Sequence, residues 1–283
     1  MAQTPETISI DLGGLRVVGD RWGGSDSAAP IVLLHGGGQT RHSWDRSAAQ
    51  IAERGRTVYT VDARGHGDSD WAPDGDYGLS GFVDDLIRLV AQLPPNPVLV
   101  GASLGGITSL AALGENPGIA SALVMVDVVV DVEPKGIDRI KQFMLSHVDG
   151  FDSLDEVADA VAAYNPQRRR PRNLDGLRKN VRQRDDGRWY WHWDPAFIRS
   201  GEDEPRHTDP VRLTAAARKI VVPTLIVRGG QSDVVSEAGV ASMKALIPQA
   251  EVADVSAAGH MVAGDGNQVF AGAIEEFLVR HEL

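Results

Sequence analysis

The sequence contains no cysteine and no long apolar segment. None of its 283 residues is cysteine, which excludes disulfides, thiolate nucleophiles and cysteine-ligated metal sites. No apolar run approaches the roughly 20 residues that a transmembrane helix needs. The first residues lack the basic and apolar regions of a secretory signal. We therefore predict a soluble, cytoplasmic protein.

Basic residues are also scarce relative to acidic ones. Lysine and arginine total 28 against 39 aspartates and glutamates, which gives a formal net charge of -11. Affinity for a phosphate backbone or an anionic bilayer depends on clustered basic side chains. This balance argues against nucleic acid and membrane partners and leaves a small-molecule substrate as the expected one. Nothing in the sequence indicates an oligomeric state.

What the chain does contain is an alternation of apolar strand patterns and amphipathic helix patterns. Its hydrophobic content of 42% is enough for a large core. The pattern predicts a hairpin around Gly13-Gly14, followed by buried strands at 31–34, 58–61, 98–100, 122–126, 223–227 and 251–255. Helical patterns separate most of these strands. The fold class predicted is α/β, a mostly parallel, doubly wound sheet with helices on both faces.

A long gap between Val130 and about Lys219 interrupts this alternation. It contains helical patterns at 137–147, 154–164 and 174–181 but no clear buried strand. We predict a core of residues 1–130 and 220–283, with residues 131–219 forming a helical lid inserted over one edge of the sheet. This gap holds three of the six tryptophans, Trp189, Trp191 and Trp193. Their rings either pack the lid onto the core or line an apolar substrate pocket.

One serine lies in a pattern typical of a sharp turn between a strand and a helix. Gly101-Ala102-Ser103-Leu104-Gly105 follows the apolar run that ends at Val100 and precedes a helical pattern of small residues. Glycines two positions before and after a serine let the backbone turn tightly enough to expose its hydroxyl above the helix amino terminus. This pattern predicts a nucleophile elbow.

Ser103, Asp233 and His260 each follow a predicted strand. Ligands bind at the carboxyl ends of strands in open parallel sheets, so these side chains are expected at one edge. A serine hydroxyl needs a neutral imidazole to take its proton, and the imidazole needs a carboxylate to orient it. The order serine, aspartate, histidine therefore predicts a catalytic triad.

The chain resembles an α/β-hydrolase with a helical cap over essentially its full length. The resemblance depends on His35-Gly36-Gly37-Gly38, on the segment from Asp62 to Ser69 (Asp-Ala-Arg-Gly-His-Gly-Asp-Ser), on the elbow, on the loop from Arg228 to Asp233 and on Gly259-His260. It implies Ser103 as nucleophile, Asp233 as acid and His260 as base. It also implies an oxyanion hole made by the backbone N–H groups of Gly37 and Leu104. Some relatives supply the acid from the position of Asp127, which stays open as the alternative.

The predicted function is hydrolysis of a carboxylester or lactone of a small to medium apolar substrate through an acyl-enzyme. Two alternatives stay open: carbon–carbon bond hydrolysis of a vinylogous diketone, and a non-catalytic ligand receptor. The carbon–carbon reaction usually goes with a cationic pocket, for which Arg41 is the only candidate, although it is also interpreted as a surface helix residue. The candidate pocket residues are Gly38, Arg41, Met261 and the three lid tryptophans.

No cofactor and no metal are expected. His35, His42 and His66 lie near one sheet edge, but their spacing matches no metal-ligand pattern. His35 and His66 are expected instead to brace loops through backbone hydrogen bonds.

Overall fold

The computed structural model is built around one eight-stranded sheet and describes residues 4–24, 29–165, 170, 173–199, 209–255 and 267–283. The strands run in the order β1-β2-β4-β3-β5-β6-β9-β10. Their bounds are β1 Glu6–Asp11, β2 Arg16–Trp22, β3 Ile31–Leu34, β4 Val58–Val61, β5 Val98–Ala102, β6 Ala122–Val126, β9 Thr224–Gly229 and β10 Glu251–Val255.

The sheet is mostly parallel, as predicted. β1 pairs antiparallel with β2, and β2 pairs antiparallel with β4. The pairs from β4 across to β10 are all parallel. Parallel neighbours need a long crossover connection, which the intervening helices supply. The carboxyl ends of six strands therefore lie at one edge of the sheet.

Helices cover both faces, and the side chains of each strand alternate between two apolar layers. Within β5, Leu99 packs in the layer that contains the helices at 79–90 and 104–115, whereas Val98 and Val100 pack in the layer that contains the helices at 45–52 and 267–280. Because both sides are covered, this strand is apolar throughout and its sequence reads as a continuous run. The helices of this core are α1 Asp45–Ala52, α2 Leu79–Val90, α3 Leu104–Glu115, α8 Glu237–Leu246 and α9 Asn267–Arg280.

Residues 131–219, the region predicted to be a lid and called the lid below as a label only, contain a small hairpin as well as helices. Its elements are α4 Pro134–Leu145, α5 Leu154–Tyr164, β7 Val181–Gln183, β8 Trp189–Trp191, α6 Pro195–Arg199 and α7 Pro210–Ala217. β7 and β8 pair antiparallel. The prediction of an insertion without strands, with a helix at 174–181, is therefore wrong. Residues 175–179 form a short 3₁₀ helix, and a turn with Gly187 at φ 81° reverses the chain between two strands of three residues each.

A third apolar cluster packs the lid on the carboxyl edge of the sheet. Trp191, Trp193 and Phe197 of the lid share it with Phe82 and Leu104 of the core. Trp191 and Trp193 thus pack this region against the core.

Helix α7 packs against the sheet-covering helix α3. A methyl group on Gly114 of α3 would lie 2.4 Å from the carbonyl oxygen of Ala216 in α7. This close approach requires glycine at position 114. The boundary of the lid at residue 219 stays a prediction. Within the described residues, no helix is both long and apolar enough to cross a bilayer.

Candidate active site

Ser103 occupies a strained turn between β5 and α3. Its backbone has φ 46° and ψ -112°, a conformation that costs free energy for any residue with a Cβ and that clusters at functional sites. A methyl group on Gly101 would lie 2.3 Å from the carbonyl carbon of Gly105, and one on Gly105 would lie 2.4 Å from the carbonyl oxygen of Leu34. Both glycines of the Gly-x-Ser-x-Gly pattern are therefore required by the close approach of helix and strand.

Two backbone hydrogen bonds fix this turn between its neighbours. The Ser103 N–H donates to the carbonyl of Val126 at the end of β6, 3.2 Å away, and the Gly105 N–H donates to the carbonyl of His35 at 3.2 Å. The serine thus lies beside the end of β6 on one side and residues 35–38, called the glycine loop below, on the other. A methyl group on Gly36 would lie 3.3 Å from Ser103 Cβ.

The glycine loop leaves one backbone donor beside the serine. The Gly36 N–H donates to Gln39 Oε1 at 3.2 Å and the Gly38 N–H donates to His66 Nε2 at 3.0 Å. Among the described residues, no acceptor pairs with the Gly37 N–H. Helix α3 begins at Leu104, so the Leu104 N–H lies in the first turn, where no intrahelical carbonyl is available. These are the two donors that the resemblance implies for an oxyanion hole.

Buried histidines brace the loops around the serine, as predicted for His35 and His66. The Nδ1 atom of His35 lies 2.8 Å from the Gly36 carbonyl, and its Nε2 accepts from the Ala63 N–H at 3.0 Å. The Nδ1 atom of His66 lies 2.9 Å from the Arg64 carbonyl. Burial lowers the pKa of His35 to about 4, although its hydrogen bond to Gly36 partly opposes the shift. His35 is therefore neutral at physiological pH.

A third histidine, His192, comes from the lid and was not singled out from the sequence. Its Nδ1 accepts from the Gly67 N–H at 2.8 Å, and its Nε2 lies 3.3 Å from the Gly38 carbonyl. Burial, together with the neighbouring His66 and His35, holds its pKa well below the ordinary value. No local signal in the sequence marks this residue, because Gly38 is 154 positions away.

Asp127 lies at the end of β6, one strand from Ser103. Ala102 and Val126 are paired across β5 and β6, so Ser103 and Asp127 are the next residues at the same level of the sheet. Asp127 is fully buried, with φ 48°. Its Oδ1 accepts from the Gly229 N–H at 2.9 Å, and its Oδ2 accepts from the Ser232 hydroxyl at 2.5 Å. A buried carboxylate held in this way has a fixed orientation.

Asp233 has a different environment. Its side chain is 44% exposed, and Oδ2 forms an ion pair with Arg139 of the lid at 2.6 Å. Its carbonyl oxygen lies beside α4, where a methyl group on Gly136 would be 2.4 Å away. Asp233 therefore connects the loop after β9 to the lid.

Arg41 is buried, and the interpretation as a surface residue is wrong. It is only 5% exposed, and its guanidinium forms ion pairs with Asp20, Asp62 and Asp68 at 2.9, 2.5 and 2.8 Å. Burial alone would lower its pKa, but these carboxylates raise it above the ordinary value. The cation is thus neutralised within the fold, which argues against its use as a pocket group for an anionic substrate.

Trp193 is the lid tryptophan that reaches the glycine loop. A methyl group on Gly38 would lie 3.4 Å from Trp193 Cζ3 and 2.7 Å from Met144 Cε. Trp191 stacks on Trp193 with ring centroids 4.8 Å apart, whereas Trp189 is partly exposed under the Arg178 guanidinium. Of the predicted pocket residues, Gly38 and Trp193 thus lie next to each other.

A cavity of about 240 Å³ lies in the lid and is lined in part by these aromatic rings. It is lined by Met144, Leu145, His147, Val148, Arg184, Tyr190, Trp191, Trp193, Pro195 and Ile198. Met144 and Trp193 therefore contact both the glycine loop and this cavity.

Two predicted site residues, His260 and Met261, lie outside the described residues. One cluster within the described part of the chain offers metal-ligand atoms within 4.8 Å of one another, Asp20, His42 and Asp45. Both carboxylates already bind cations, Asp20 through Arg41 and Asp45 through Lys179. We assign no metal to it.

Comparison with known proteins places the chain in a family. The family model described as the alpha/beta hydrolase fold matches residues 29–266. The chain is 31% identical over 249 residues to an esterase of Mycobacterium tuberculosis, which covers 84% of this chain and 77% of the esterase. It is 30% identical over 269 residues to the sn-1-specific diacylglycerol lipase of Mus musculus, with 89% and 82% covered.

A solved structure agrees with this assignment at the level of the fold. The crystal structure of E-2-(acetamidomethylene)succinate hydrolase superposes with a TM-score of 0.83 and 24% identity, over 97% of this chain and 99% of that one. The fold class and the family predicted from the sequence are therefore confirmed. The chain belongs to the alpha/beta hydrolase family.

Proposed function

We propose that the chain is a serine hydrolase that cleaves a carboxylester or lactone through an acyl-enzyme on Ser103. The main support is a pair of residues with positive φ at adjacent strand ends, Ser103 at φ 46° and Asp127 at φ 48°. Residues other than glycine adopt such backbone angles mostly where the surrounding structure imposes them, often at active sites. Ser103 and Asp127 carry a hydroxyl and a carboxylate, which acyl transfer needs as nucleophile and as acid.

The similar proteins support ester cleavage. One of the two relatives is named an esterase and the other a diacylglycerol lipase, and both names describe hydrolysis of ester bonds. The reported crystal structure shares only 24% identity and supports the fold alone. An ester is therefore the first substrate class to test, and an amide is a comparison compound.

The reaction has two steps, formation of an acyl-enzyme and its hydrolysis. Ser103 Oγ attacks the carbonyl carbon while His260 takes the hydroxyl proton, and the carbonyl oxygen becomes an oxyanion. The N–H groups of Gly37 and Leu104 donate to that oxygen. The intermediate collapses to the acyl-enzyme as the alcohol leaves with the proton from His260. Water then attacks the acyl-enzyme by the same route and releases the acid and free Ser103.

We assign the acid to Asp127, not to Asp233 as predicted from the sequence. The acid of such a triad is buried and held by hydrogen bonds, so that it orients the imidazole and stabilises the imidazolium. Asp127 is fully buried and receives the Gly229 N–H and the Ser232 hydroxyl. Asp233 is half exposed, and its carboxylate already pairs with the Arg139 guanidinium.

The two assignments are separated by matched substitutions. Asp127→Asn should lower kcat by orders of magnitude, about 10⁴-fold in the best-studied triad, because the amide cannot stabilise an imidazolium. Asp233→Asn removes the ion pair to the lid and should change kcat by less than about tenfold. The opposite ranking would return the acid role to Asp233. Thermal melting of both variants checks that each is folded.

The alternative functions are tested by the choice of substrate. The one cation offered for carbon–carbon hydrolysis, Arg41, is neutralised by three carboxylates, which disfavours that reaction. We expect turnover of p-nitrophenyl acetate, butyrate and octanoate and of a γ-lactone, with little on the matching p-nitroanilides. Trp193→Ala should raise KM for octanoate more than for acetate, because the ring contacts the glycine loop. A folded protein that turns over none of these compounds would support the receptor function.

A further inference from the structure

Three buried histidines hold three consecutive peptide units of the glycine loop. His35 Nδ1 binds the Gly36 carbonyl, in the peptide unit that also contains the Gly37 N–H. His66 Nε2 accepts from the Gly38 N–H, in the next unit. His192 Nε2 binds the Gly38 carbonyl, in the unit after that. The direction of the Gly37 N–H is therefore set by a row of imidazoles.

The hydrogen-bond partners fix the tautomers of the last two rings. His66 Nδ1 faces the carbonyl of Arg64, which only accepts, so the proton is on Nδ1 and Nε2 accepts from the Gly38 N–H. His192 Nδ1 accepts from the Gly67 N–H, so its proton is on Nε2, which donates to the Gly38 carbonyl. The ring centroids of His66 and His192 are 5.8 Å apart.

His192 differs from the other two because it belongs to the lid. It follows β8 directly, and its own N–H donates to the carbonyl of Asn180 in the same lid. Gly38 has φ 72°, and a methyl group added to it would lie 2.7 Å from Met144 Cε of the lid. The loop that presents the Gly37 N–H thus contacts the lid through both a hydrogen bond and apolar packing.

We propose that His192 is a positioning residue for the oxyanion donor. Through its hydrogen bond to Gly38, the position of the lid on the core sets the direction of the Gly37 N–H. The proposal rests on the proposed function, in which Gly37 stabilises the oxyanion. If His192 acts in this way, the glycine loop has its catalytic geometry only when the lid is packed on the core. Substrate binding beneath the lid is then coupled to the rate of acyl transfer. The Gly38 carbonyl is the point of coupling.

Two substitutions at position 192 separate this role from packing. His192→Gln keeps a donor near the position of Nε2 and loses the acceptor for Gly67. His192→Asn keeps the acceptor near the position of Nδ1 and cannot reach Gly38. We expect the asparagine variant to lose about 10- to 100-fold in kcat on p-nitrophenyl acetate, with KM within about twofold, because a displacement near 1 Å costs rates of this order. The glutamine variant should stay within a few-fold of wild type.

A transition-state analogue gives a second measurement. A trifluoromethyl ketone forms a hemiketal alkoxide on Ser103 that needs the same oxyanion donors. Its affinity should fall by the same factor as kcat in His192→Asn and should be retained in His192→Gln. A role in packing alone would lower the melting temperature of both variants and leave them kinetically alike, which would overturn the proposal.

Tyr77→Phe is the matched control for a loosened lid. The Tyr77 hydroxyl donates to Asp194 of the lid at 2.5 Å and accepts from the Ala72 N–H at 3.0 Å, and neither partner belongs to the glycine loop. If any weakened lid anchor lowers kcat, this variant will lose as much as His192→Asn, and the proposal is wrong.

Hydrogen exchange tests the positioning role of His192 independently of ester hydrolysis. The peptide that contains residues 36–39 should exchange faster in His192→Asn than in wild type or His192→Gln, whether or not the protein hydrolyses esters. Equal exchange in all three proteins would contradict the positioning role. A wild-type protein that exchanges as expected but hydrolyses no ester would contradict only the proposed function.

Discussion

Adding one methyl group at Gly105 should disable the site by displacing helix α3. A Cβ at this position would lie 2.4 Å from the carbonyl oxygen of Leu34 and 2.7 Å from Leu34 Cβ. Ordinary contact begins at 3.4 Å, so the helix start must move by about 1 Å, because protein interiors have no spare volume. Ser103 and Leu104 directly precede Gly105 and move with it.

The expected magnitudes follow from this displacement. Overpacking of this kind costs about 1–3 kcal/mol of the free energy of unfolding, and a 1 Å misplacement of reacting groups costs about 10²-fold in rate. Urea unfolding measures the first effect for Gly105→Ala, and kcat on p-nitrophenyl acetate measures the second. Gly272→Ala is the control, because Gly272 lies in α9 and, among the described residues beyond its own helical backbone, the added methyl would have no neighbour within 4 Å. It should be stabilising by up to about 1 kcal/mol with unchanged kcat.

A Gly105→Ala variant with the stability and rate of wild type would refute this reasoning, since it would mean that α3 does not approach Leu34 closely. A stable variant with a lost rate would instead show that the helix start moves at little cost.

Two further predictions concern buried charge. Arg41→Met should cost about 3–5 kcal/mol in urea unfolding, because it leaves buried carboxylates without their cation, whereas Arg16→Met, whose ion pair is half exposed, should cost less than about 1 kcal/mol; equal losses would contradict the buried network. His35 has a pKa of about 4 in the folded protein and 6.5 when unfolded, so the unfolded state binds more protons in this interval and stability falls as pH decreases from 6.5 to 4. His35→Asn should remove roughly 3 kcal/mol of that pH-dependent loss, measured by urea unfolding across this pH interval; an unaltered pH dependence in His35→Asn would show that folding does not lower the pKa of His35.

The strands of the core could be predicted closely, because they are buried on both faces. The prediction for β6, residues 122–126, has the same bounds in the structure, since every residue there is apolar and enclosed. The lid hairpin was missed because β7 and β8 have three residues each. That length is too short for an alternating pattern, and the tryptophans of β8 suggested packing instead of a strand.

The site was predictable where its geometry is local. The turn at Ser103 follows from two glycines that a close helix–strand approach requires, and these are visible in the sequence. The environments of Asp127 and Asp233 depend on the Ser232 hydroxyl and on Arg139, and the latter lies 94 positions from its partner. Burial and ion pairing of this kind arise only from the tertiary fold. Residue spacing alone therefore placed Arg41 on the surface, and it gave no signal for His192.

Covalent labelling of Ser103 tests the central claim most directly. The wild-type protein is incubated with a fluorophosphonate, and intact mass and peptide mapping locate the adduct while hydrolysis of p-nitrophenyl acetate is followed. We predict a single adduct on Ser103, loss of hydrolysis in proportion to labelling, and neither labelling nor hydrolysis in a Ser103→Ala variant that melts like wild type. Hydrolysis that persists in Ser103→Ala, or in a protein fully labelled at another residue, would contradict the assignment of Ser103 as the nucleophile.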